Sequence, residues 1–168
     1  MKNMTIKSLL TASALAFATL AAHAEYKQVN LTVFGMDCAP CAHAIHVSMK
    51  GIKGVNTVDV DLNTGLVVVK LAAGNNAVMR QFNQAVEKNG FTHKDATVTA
   101  RGKLTGTASA PFFEVAGTQD RFALTSAPGA ENLSALLGKT VTITGVLPQV
   151  AKGKVPDTLR YSAITEAQ

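Results

Sequence analysis

The chain lacks several residue types and motifs on which common functional sites depend. It has 168 residues, no tryptophan and only two cysteines, Cys38 and Cys41, which form a single C-x-x-C. Two cysteines are too few for a disulfide-rich scaffold or for a zinc site built from four thiolates. The sequence also contains no H-E-x-x-H, no nucleophile elbow around a serine and no phosphate-binding loop. We therefore expect a protein that is not an enzyme.

The chain has little excess charge of either sign. Its 16 Lys and Arg residues against 11 Asp and Glu residues give a net charge of +5 at neutral pH. Proteins that bind nucleic acid usually concentrate basic residues on one face. No such concentration is evident here, so nucleic acid is not an expected partner.

Only one long apolar run occurs, and it lies at the N-terminus. Lys2 and Lys7 precede an uncharged stretch over residues 8–20. Ala22-His23-Ala24 then places small residues at the two positions that a signal peptidase recognises. This pattern is typical of a secretory signal peptide, and the run is short for a span of about 30 Å of hydrocarbon. We expect residues 1–24 to be removed. The mature chain, beginning at Glu25, is then expected to be periplasmic and to have no membrane span.

Hydrophobic periodicity predicts an α+β domain over residues 25–95. Some segments alternate between polar and apolar residues, as strands do, and others have the three-to-four-residue spacing of helices. The predicted strands are residues 28–34, 55–62, 66–71 and a short one from Phe91, and the predicted helices are residues 39–50 and one running from Asn75 or Asn76 to Asn89. The order β-α-β-β-α-β is that of a ferredoxin-like sandwich, in which both helices cover one face of an antiparallel sheet.

Residues 96–168 predict a second domain of a different kind. Its predicted strands are residues 96–107, 112–115, 121–125, 141–146 and 159–164, with a short helix at residues 131–137. Three strands, a helix and two strands is the order of a small OB-like β-barrel. The predicted fold class is therefore α+β, a ferredoxin-like sandwich followed by an OB-like barrel.

The segment with the clearest chemical meaning is Gly-Met-Asp-Cys-Ala-Pro-Cys-Ala, residues 35–42. It lies where the first predicted strand ends and the first predicted helix begins, with Cys41 in the first turn and Cys38 in the preceding loop. A helix N-terminus favours thiolate over thiol, and thiolates are ligands of soft ions such as Cu(I) and Zn(II). In an exported protein the pair can serve as a metal clip, a redox pair or a structural disulfide.

Residues 28–95 resemble a heavy-metal-associated (HMA) domain, the module of copper chaperones, periplasmic mercury-binding proteins and the N-termini of metal-exporting P-type ATPases. The residues that carry the resemblance are the motif at 35–42, Ile45, Gly54-Val55 and Asn89-Gly90-Phe91. The resemblance does not extend to residues 96–168.

Membership in this family would assign roles to several residues. Cys38 and Cys41 would be the metal ligands, Met36 would be a buried residue that supports the loop, and Phe91 would pack beside the site. The family also implies a partner, which would be a membrane metal transporter or another metallochaperone that receives the ion.

Asp37 bears on the identity of the ion. Copper and mercury members of the family usually have Thr, Ser or His at this position, whereas an acid resembles the zinc- and cadmium-exporting ATPases, in which a carboxylate can be a third ligand. Asp is also favoured as the cap of a following helix. The expected cargo is therefore a soft heavy-metal ion, Cu(I), Hg(II) or Zn(II)/Cd(II), with Asp37 as a candidate third ligand.

Three histidines lie in the first domain. His43 and His46 follow the cysteines on the side of the predicted helix that faces away from Ile45, and this placement favours surface residues over metal ligands. His93 is expected to be a solvated strand residue.

Two other functions are consistent with parts of the sequence. Cys-Ala-Pro-Cys resembles the C-x-P-C of thioredoxin-like oxidoreductases, but these usually have a tryptophan before the motif. They also need a cis-proline that faces the disulfide, and no proline lies between Pro40 and Pro111. A binding module that acts through the second domain would use its aromatic residues, Phe112, Phe113, Phe122 and Tyr161. Because the chain has few aromatics, we expect these in the core.

Overall fold

The computed structural model describes residues 25–115, 117–128 and 133–167. The elements in chain order are β1 (Glu25–Phe34), α1 (Ala39–Lys50), β2 (Val55–Asp61), β3 (Leu66–Leu71), α2 (Met79–Glu87), β4 (Thr92–Thr107), β5 (Ala110–Glu114), β6 (Arg121–Ser126), a 3₁₀ helix (Ser134–Leu136), β7 (Thr140–Leu147) and β8 (Thr158–Glu166). The predicted signal peptide, residues 1–24, and the first residues of the predicted helix 131–137 lie outside the described residues.

The first half of the chain forms the predicted ferredoxin-like arrangement. The strands lie in the order β2-β3-β1-β4, and each neighbouring pair is antiparallel. Alternate residues of β1, namely Val29, Leu31 and Val33, are buried, because successive side chains of a strand point to opposite faces. Ile45 of α1 and Phe82 of α2 join them in the same core. The predicted βαββαβ order is therefore confirmed.

Helix α2 begins later than the sequence predicts. Its first residue is Met79, so Asn75 and Asn76 do not cap it. Asn75 is instead buried, and its side-chain amide donates to the carbonyl oxygens of Tyr26 and Ala72, both at 2.8 Å. An Asn that could cap a helix is here used to satisfy distant backbone carbonyls, because buried polar groups need partners.

Strand β4 replaces two predicted strands. We expected a short strand from Phe91 and a separate one over residues 96–107, but residues 92–107 form one continuous strand. One edge of β4 pairs with β1 from Glu25↔Arg101 to Phe34↔Thr92, and the other edge pairs with β7. The predicted boundary between residues 95 and 96 therefore falls inside a strand that both halves share.

The remaining strands lie close to their predicted positions, with ends shifted by at most two residues except that β1 begins three residues earlier, at Glu25. All strands of the described residues belong to one eight-stranded mixed sheet. In the second half, β4 pairs with β5, β5 with β6, β6 with β8 in parallel, and β8 with β7, which pairs again with β4. The predicted helix 131–137 is reduced to the 3₁₀ turn Ser134–Leu136 in its described part. The predicted OB-like barrel stays a prediction.

Aromatic side chains fill the core of the second half. Phe113, Phe122 and Tyr161 are buried, as expected. Phe113 packs directly over the backbone of β4, since a Cβ added at Gly102 would lie 2.7 Å from its ring. Phe112 departs from the prediction. It is only half-buried, and the guanidinium of Arg121 lies 3.7 Å from the centre of its ring.

Asp120 joins the two halves. This carboxylate, in the turn between β5 and β6, accepts hydrogen bonds from the Tyr26 hydroxyl at 2.7 Å and from the Met79 backbone N–H at 2.6 Å. The second bond satisfies a free N–H at the start of α2, where Val78 has no side chain that can do so. Burial, and then the neighbouring Asp120 carboxylate, raise the pKa of Tyr26 well above its ordinary value.

The loop between β7 and β8 makes further contacts with the first half. Asn83 of α2 donates to the carbonyl oxygen of Lys154 at 3.1 Å, and the Glu87 carboxylate accepts from the Gly153 N–H at 3.0 Å. The Asp95 carboxylate accepts from the Gln149 N–H at 2.8 Å. Helix α2 is thus attached to the second half near both of its ends.

Candidate metal centre

The loop that carries the cysteines connects β1 to α1. Strand β1 ends at Phe34, and Gly35 follows with a φ of 77°. Among the amino acids, glycine adopts this left-handed conformation at the lowest cost in free energy. The conformation turns the chain away from the sheet. Met36 is then buried at 4% exposure, as the family resemblance implies. Met36 belongs to the hydrophobic core, while Asp37, Ala39 and Pro40 are exposed.

The two cysteines meet because Cys38 caps α1. The Cys38 sulfur accepts a hydrogen bond from the Cys41 backbone N–H at 3.2 Å, and the Ala42 N–H donates to the Cys38 carbonyl oxygen at 3.0 Å. Pro40 lies in the first turn, where its missing N–H costs nothing and its fixed φ suits a helix. Cys38 and Cys41 are disulfide-bonded in this structure, with their Cα atoms 5.1 Å apart.

Asp37 lies beside the sulfurs. One oxygen of its carboxylate and the Sγ atoms of Cys38 and Cys41 lie within 4.8 Å of one another. No other group of three or more His, Cys, Asp or Glu residues in the described ranges is so close. The interpretation of Asp37 as the helix cap is wrong, because the Cys38 sulfur occupies that place. The assignment of Asp37 as a third ligand stays a prediction.

The surroundings leave the sulfurs accessible from one side. Cys38 and Cys41 are each half-buried and Asp37 is exposed. Cys41 and Phe91 both pack against the hydrophobic core. An arrangement with a packed inner side and an open outer side can offer two soft donors and one carboxylate oxygen to an incoming ion.

The histidines divide into two kinds. His43 is exposed and His46 is half-buried, and both line a shallow depression with Ala42 and Val60 on the outer side of α1. Neither belongs to the group formed by Asp37 and the cysteines.

His93 contradicts the sequence prediction, because it is buried at 7% exposure. A shift of register in the β1–β4 ladder between Leu31 and Val33 places His93 opposite the buried Val33. Its Nδ1 lies 2.8 Å from the Lys94 carbonyl oxygen. When pairing with another strand decides which face of the sheet a side chain occupies, the local sequence carries no signal of it.

No helix among the described residues is both long and apolar enough to cross a membrane.

Comparison with known proteins bears on the first half of the chain. The family model of the heavy-metal-associated domain matches residues 30–92. The copper chaperone CopZ of Staphylococcus saprophyticus is 34% identical over 65 residues, which cover 39% of this chain and 94% of that protein. Among solved structures, a CopZ metallochaperone is 32% identical, covering 39% of this chain and 97% of that one with a TM-score of 0.37. Oxidized MerP from Ralstonia metallidurans CH34 is 25% identical, covering 40% of this chain and 93% of that one, also with a TM-score of 0.37. Through residues 30–92, the chain belongs to the heavy-metal-associated domain family.

Proposed function

We propose that this protein is a periplasmic metallochaperone or scavenger that holds a soft metal ion between the thiolates of Cys38 and Cys41. It then passes the ion to a membrane metal transporter or to another metallochaperone. The observation that carries the proposal is the meeting of both sulfurs and the Asp37 carboxylate within 4.8 Å at the start of α1. Membership in the heavy-metal-associated family supports the same chemistry.

The disulfide has to open before the site can take up its cargo. A dithiol donor supplies two electrons and two protons, which break the S–S bond and yield two thiols, while the donor becomes a disulfide. Each thiol then releases its proton when it binds the ion. The N-terminus of α1 lowers the cost of that release, because its partial positive charge stabilises thiolate. The exposed side of the site leaves room for the thiolates of a partner to replace those of Cys38 and Cys41 one at a time.

We place Cu(I) first among the candidate ions. Two thiolates satisfy Cu(I), whereas Zn(II) in proteins usually takes four ligands. The curated relative is a copper chaperone. Zn(II) and Cd(II) remain the candidates if Asp37 binds as a third ligand, and Hg(II) is the remaining soft ion.

The test is an anaerobic titration of residues 25–168, reduced and desalted, with Cu(I), Hg(II), Zn(II) and Cd(II) in competition against chelators of known affinity. We expect the thiolates of the reduced protein to bind one soft ion per chain tightly, and we expect Cu(I) binding to be lost in Cys38→Ser/Cys41→Ser. The wild-type protein with its disulfide closed is the matched control, because it has the same composition and no free thiols. Equal Cu(I) binding by the reduced and the oxidised protein would overturn the proposal.

Asp37→Asn separates the candidate ions. Unchanged Cu(I) affinity together with a loss of Zn(II) and Cd(II) affinity would show that the carboxylate is a ligand of divalent ions. If every ion binds the variant as it binds the wild type, Asp37 is not a ligand and the site is a two-sulfur one.

The closed disulfide favours a second candidate function, that of a thiol–disulfide redox protein. Such a protein would exchange electrons between Cys38/Cys41 and a substrate disulfide, and the sulfur pair would have a reduction potential poised near that of its compartment. Rapid exchange with an unfolded disulfide-bonded substrate, without measurable binding of any soft ion, would favour this function over metal transport.

Periplasmic location depends on the predicted signal peptide. Expression of the full chain in a Gram-negative host, followed by osmotic shock and mass spectrometry, tests it. Release of a protein that begins at Glu25 would support the proposal, and retention of residues 1–24 in the cytoplasmic fraction would refute it.

We also propose that residues 96–168 form a small OB-like barrel that presents the metal domain to its partner. The pairing path β4–β5–β6–β8–β7 returns to β4, which supports closure. Interstrand NOEs across Thr99 and Thr144, whose hydroxyls lie 3.1 Å apart, test that closure.

Contacts from the second half to both ends of α2 support the presenting role. Asp120→Ala tests that role through the rate of Cu(I) transfer to a partner heavy-metal-associated domain: a slower transfer is expected, and an unchanged rate would overturn it.

A further inference from the structure

Two histidines on α1 lie next to the cysteines but outside their group. His43 and His46 are three residues apart on the helix, and residues at this spacing are neighbours on its surface, with Cβ atoms about 5–6 Å apart. Both side chains line the same shallow depression, together with Ala42 and Val60. Two imidazoles therefore face one volume of solvent at the surface of α1.

The ring nitrogens of this pair are free to bind a ligand. Within the part of the chain that the structure describes, neither His43 nor His46 has a hydrogen bond or an ion pair with another residue. His93 differs, because its Nδ1 is engaged with the Lys94 carbonyl oxygen. Lys50, one turn along the helix from His46, donates to the Asn56 carbonyl oxygen. Metal binding by the pair would therefore break no bond within the described residues.

We propose that His43 and His46 together chelate a borderline divalent ion, Cu(II), Ni(II) or Zn(II), at a site separate from the thiolate pair. Imidazole nitrogen suits these ions. Water would fill the remaining coordination positions, since the depression is open to solvent. The site shares no ligand atom with the Cys38/Cys41 site and does not rest on the function proposed for it.

The site differs from the thiolate pair in one property that matters in an oxidising compartment. Closure of the Cys38–Cys41 disulfide removes both thiolates as ligands, whereas the imidazoles are unaffected by that oxidation. The protein with its disulfide closed therefore retains a capacity for divalent ions. The two sites can be measured independently by control of the thiol oxidation state.

The experiment uses residues 25–168 with the disulfide closed. Cu(II), Ni(II) and Zn(II) are each titrated by equilibrium dialysis, and the Cu(II) complex is studied by electron paramagnetic resonance for the coupling of two imidazole nitrogens. Linking two weak ligands on one scaffold raises affinity by roughly 100-fold over one ligand alone. We expect a loss of this order in His43→Gln, in His46→Gln and in the double variant, together with loss of the two-nitrogen signature.

A rescue variant shows whether the geometry of the pair is responsible. His46→Gln/Val47→His moves the second imidazole to a four-residue spacing from His43, the other spacing at which side chains are neighbours on a helix, on the edge of α1 that lines a groove with Gln81 and Gln84. Val47 is 53% exposed, so the substitution does not disturb the core. Recovery of the wild-type affinity in this variant is expected. An affinity that is unchanged in His43→Gln/His46→Gln, or a one-nitrogen Cu(II) signature in the wild type, would overturn the proposal.

A variant without the two cysteines distinguishes binding by the histidine pair from binding by the thiolates. Cys38→Ser/Cys41→Ser should retain the divalent-ion affinity of the oxidised wild type while it loses binding of Cu(I). If divalent-ion binding also disappears in that variant with its fold intact, the histidine pair is not a site in its own right and the proposal fails.

Discussion

The two halves of the molecule differ in what covers their strands. Before β4, two helices cover one face of an antiparallel sheet. Asp37, Cys38 and Cys41 lie in the short loop after β1 and in the first turn of α1. After β4, the described residues contain no α-helix. Strands there pair in a path that returns to β4, and Phe113, Phe122 and Tyr161 fill the space between them. The comparison shows that the candidate metal-binding residues lie close together in the sequence, whereas much of the packing of the chain depends on residues that are far apart in the sequence.

The halves are nevertheless built on common parts. Strand β4 serves both, and Asp120 of the second half binds Tyr26 and the start of α2 in the first. These connections predict that the halves unfold together, although their architectures differ. The following substitutions and truncations test that prediction.

Truncation within β4 should have the largest effect. A chain that ends at Asp95 lacks the partners of β1 from Ala96 to Arg101, and with them the buried Ala96, Val98 and Ala100. We expect this fragment to lose most of its free energy of unfolding. A fragment that ends at Gly102 is the matched control, because it keeps every partner of β1. Urea denaturation followed by circular dichroism compares the two, and equal stability would show that the first half is independent of the shared strand.

Replacement of one buried aromatic in each half should have the next largest effect. Phe82→Ala and Phe113→Ala each remove a fully buried ring, and such changes cost about 3–5 kcal/mol. If the halves unfold together, each variant shifts a single transition by a similar amount.

Tyrosine fluorescence can follow the two halves separately. The chain has no tryptophan and two tyrosines, Tyr26 in the first half and Tyr161 in the second. Tyr161→Phe leaves a reporter in the first half, and Tyr26→Phe leaves one in the second. In the Phe82→Ala and Phe113→Ala backgrounds, the two reporters should give the same midpoint. Different midpoints would mean that the halves unfold independently.

Asp120→Ala should have a smaller effect that involves both halves. It removes the acceptor of two hydrogen bonds and leaves the buried Tyr26 hydroxyl and the Met79 N–H without it. Removal of one partner from a buried polar group costs about 1–3 kcal/mol. Asp120→Asn keeps an acceptor oxygen and should lose less. If Asp120→Ala changes the free energy of unfolding by no more than a surface substitution does, the carboxylate does not join the halves.

Alkaline pH should have the smallest effect. Burial and the Asp120 carboxylate raise the pKa of Tyr26 in the folded state, whereas an unfolded tyrosine ionises near pH 10. The contribution is therefore fully present below about pH 10 and is lost as pH rises above it, by at most about 1.4 kcal/mol per pH unit. Denaturation of the wild type between pH 9 and 11 should show this loss.

Tyr26→Phe is the control for that pH dependence, because it keeps the ring and removes the ionising group. Its stability should fall less steeply between pH 9 and 11, while the other ionising groups, including Tyr161, remain. If the slopes of the two proteins are equal, Tyr26 does not stay protonated in the folded state.

Local sequence signals were sufficient for α1 and the cysteine loop. The predicted helix 39–50 matches α1, since Pro40 suits the first turn and Gly51 follows the last residue. The spacing of Cys38 and Cys41 on either side of the helix start was enough to predict that their sulfurs meet. These features depend on residues within a few positions of one another, so the local sequence is sufficient to predict them.

Long-range contacts account for the wrong predictions about the start of α2 and about His93. Asn75 carries a cap signal, but its partner, the Tyr26 carbonyl oxygen, is 49 residues away. His93 has a polar ring, but the register shift in the β1–β4 ladder, where β4 has an extra residue, turns it to the buried side. The start of α2 is satisfied by Asp120, which is 41 residues from Met79. No local pattern around Asn75, His93 or Met79 contains these partners.

The sequence by itself determined most of the strands, helix α1, and the dithiol motif with its place at a helix start, because periodicity and capping act over a few residues. Only the tertiary structure decided that β4 serves both halves, that Asn75 binds the Tyr26 carbonyl oxygen, and that Val60 joins His43 and His46 around one open depression. The physical reason is that pairing register, the burial of a side chain and the choice among competing hydrogen-bond partners depend on residues brought together by folding.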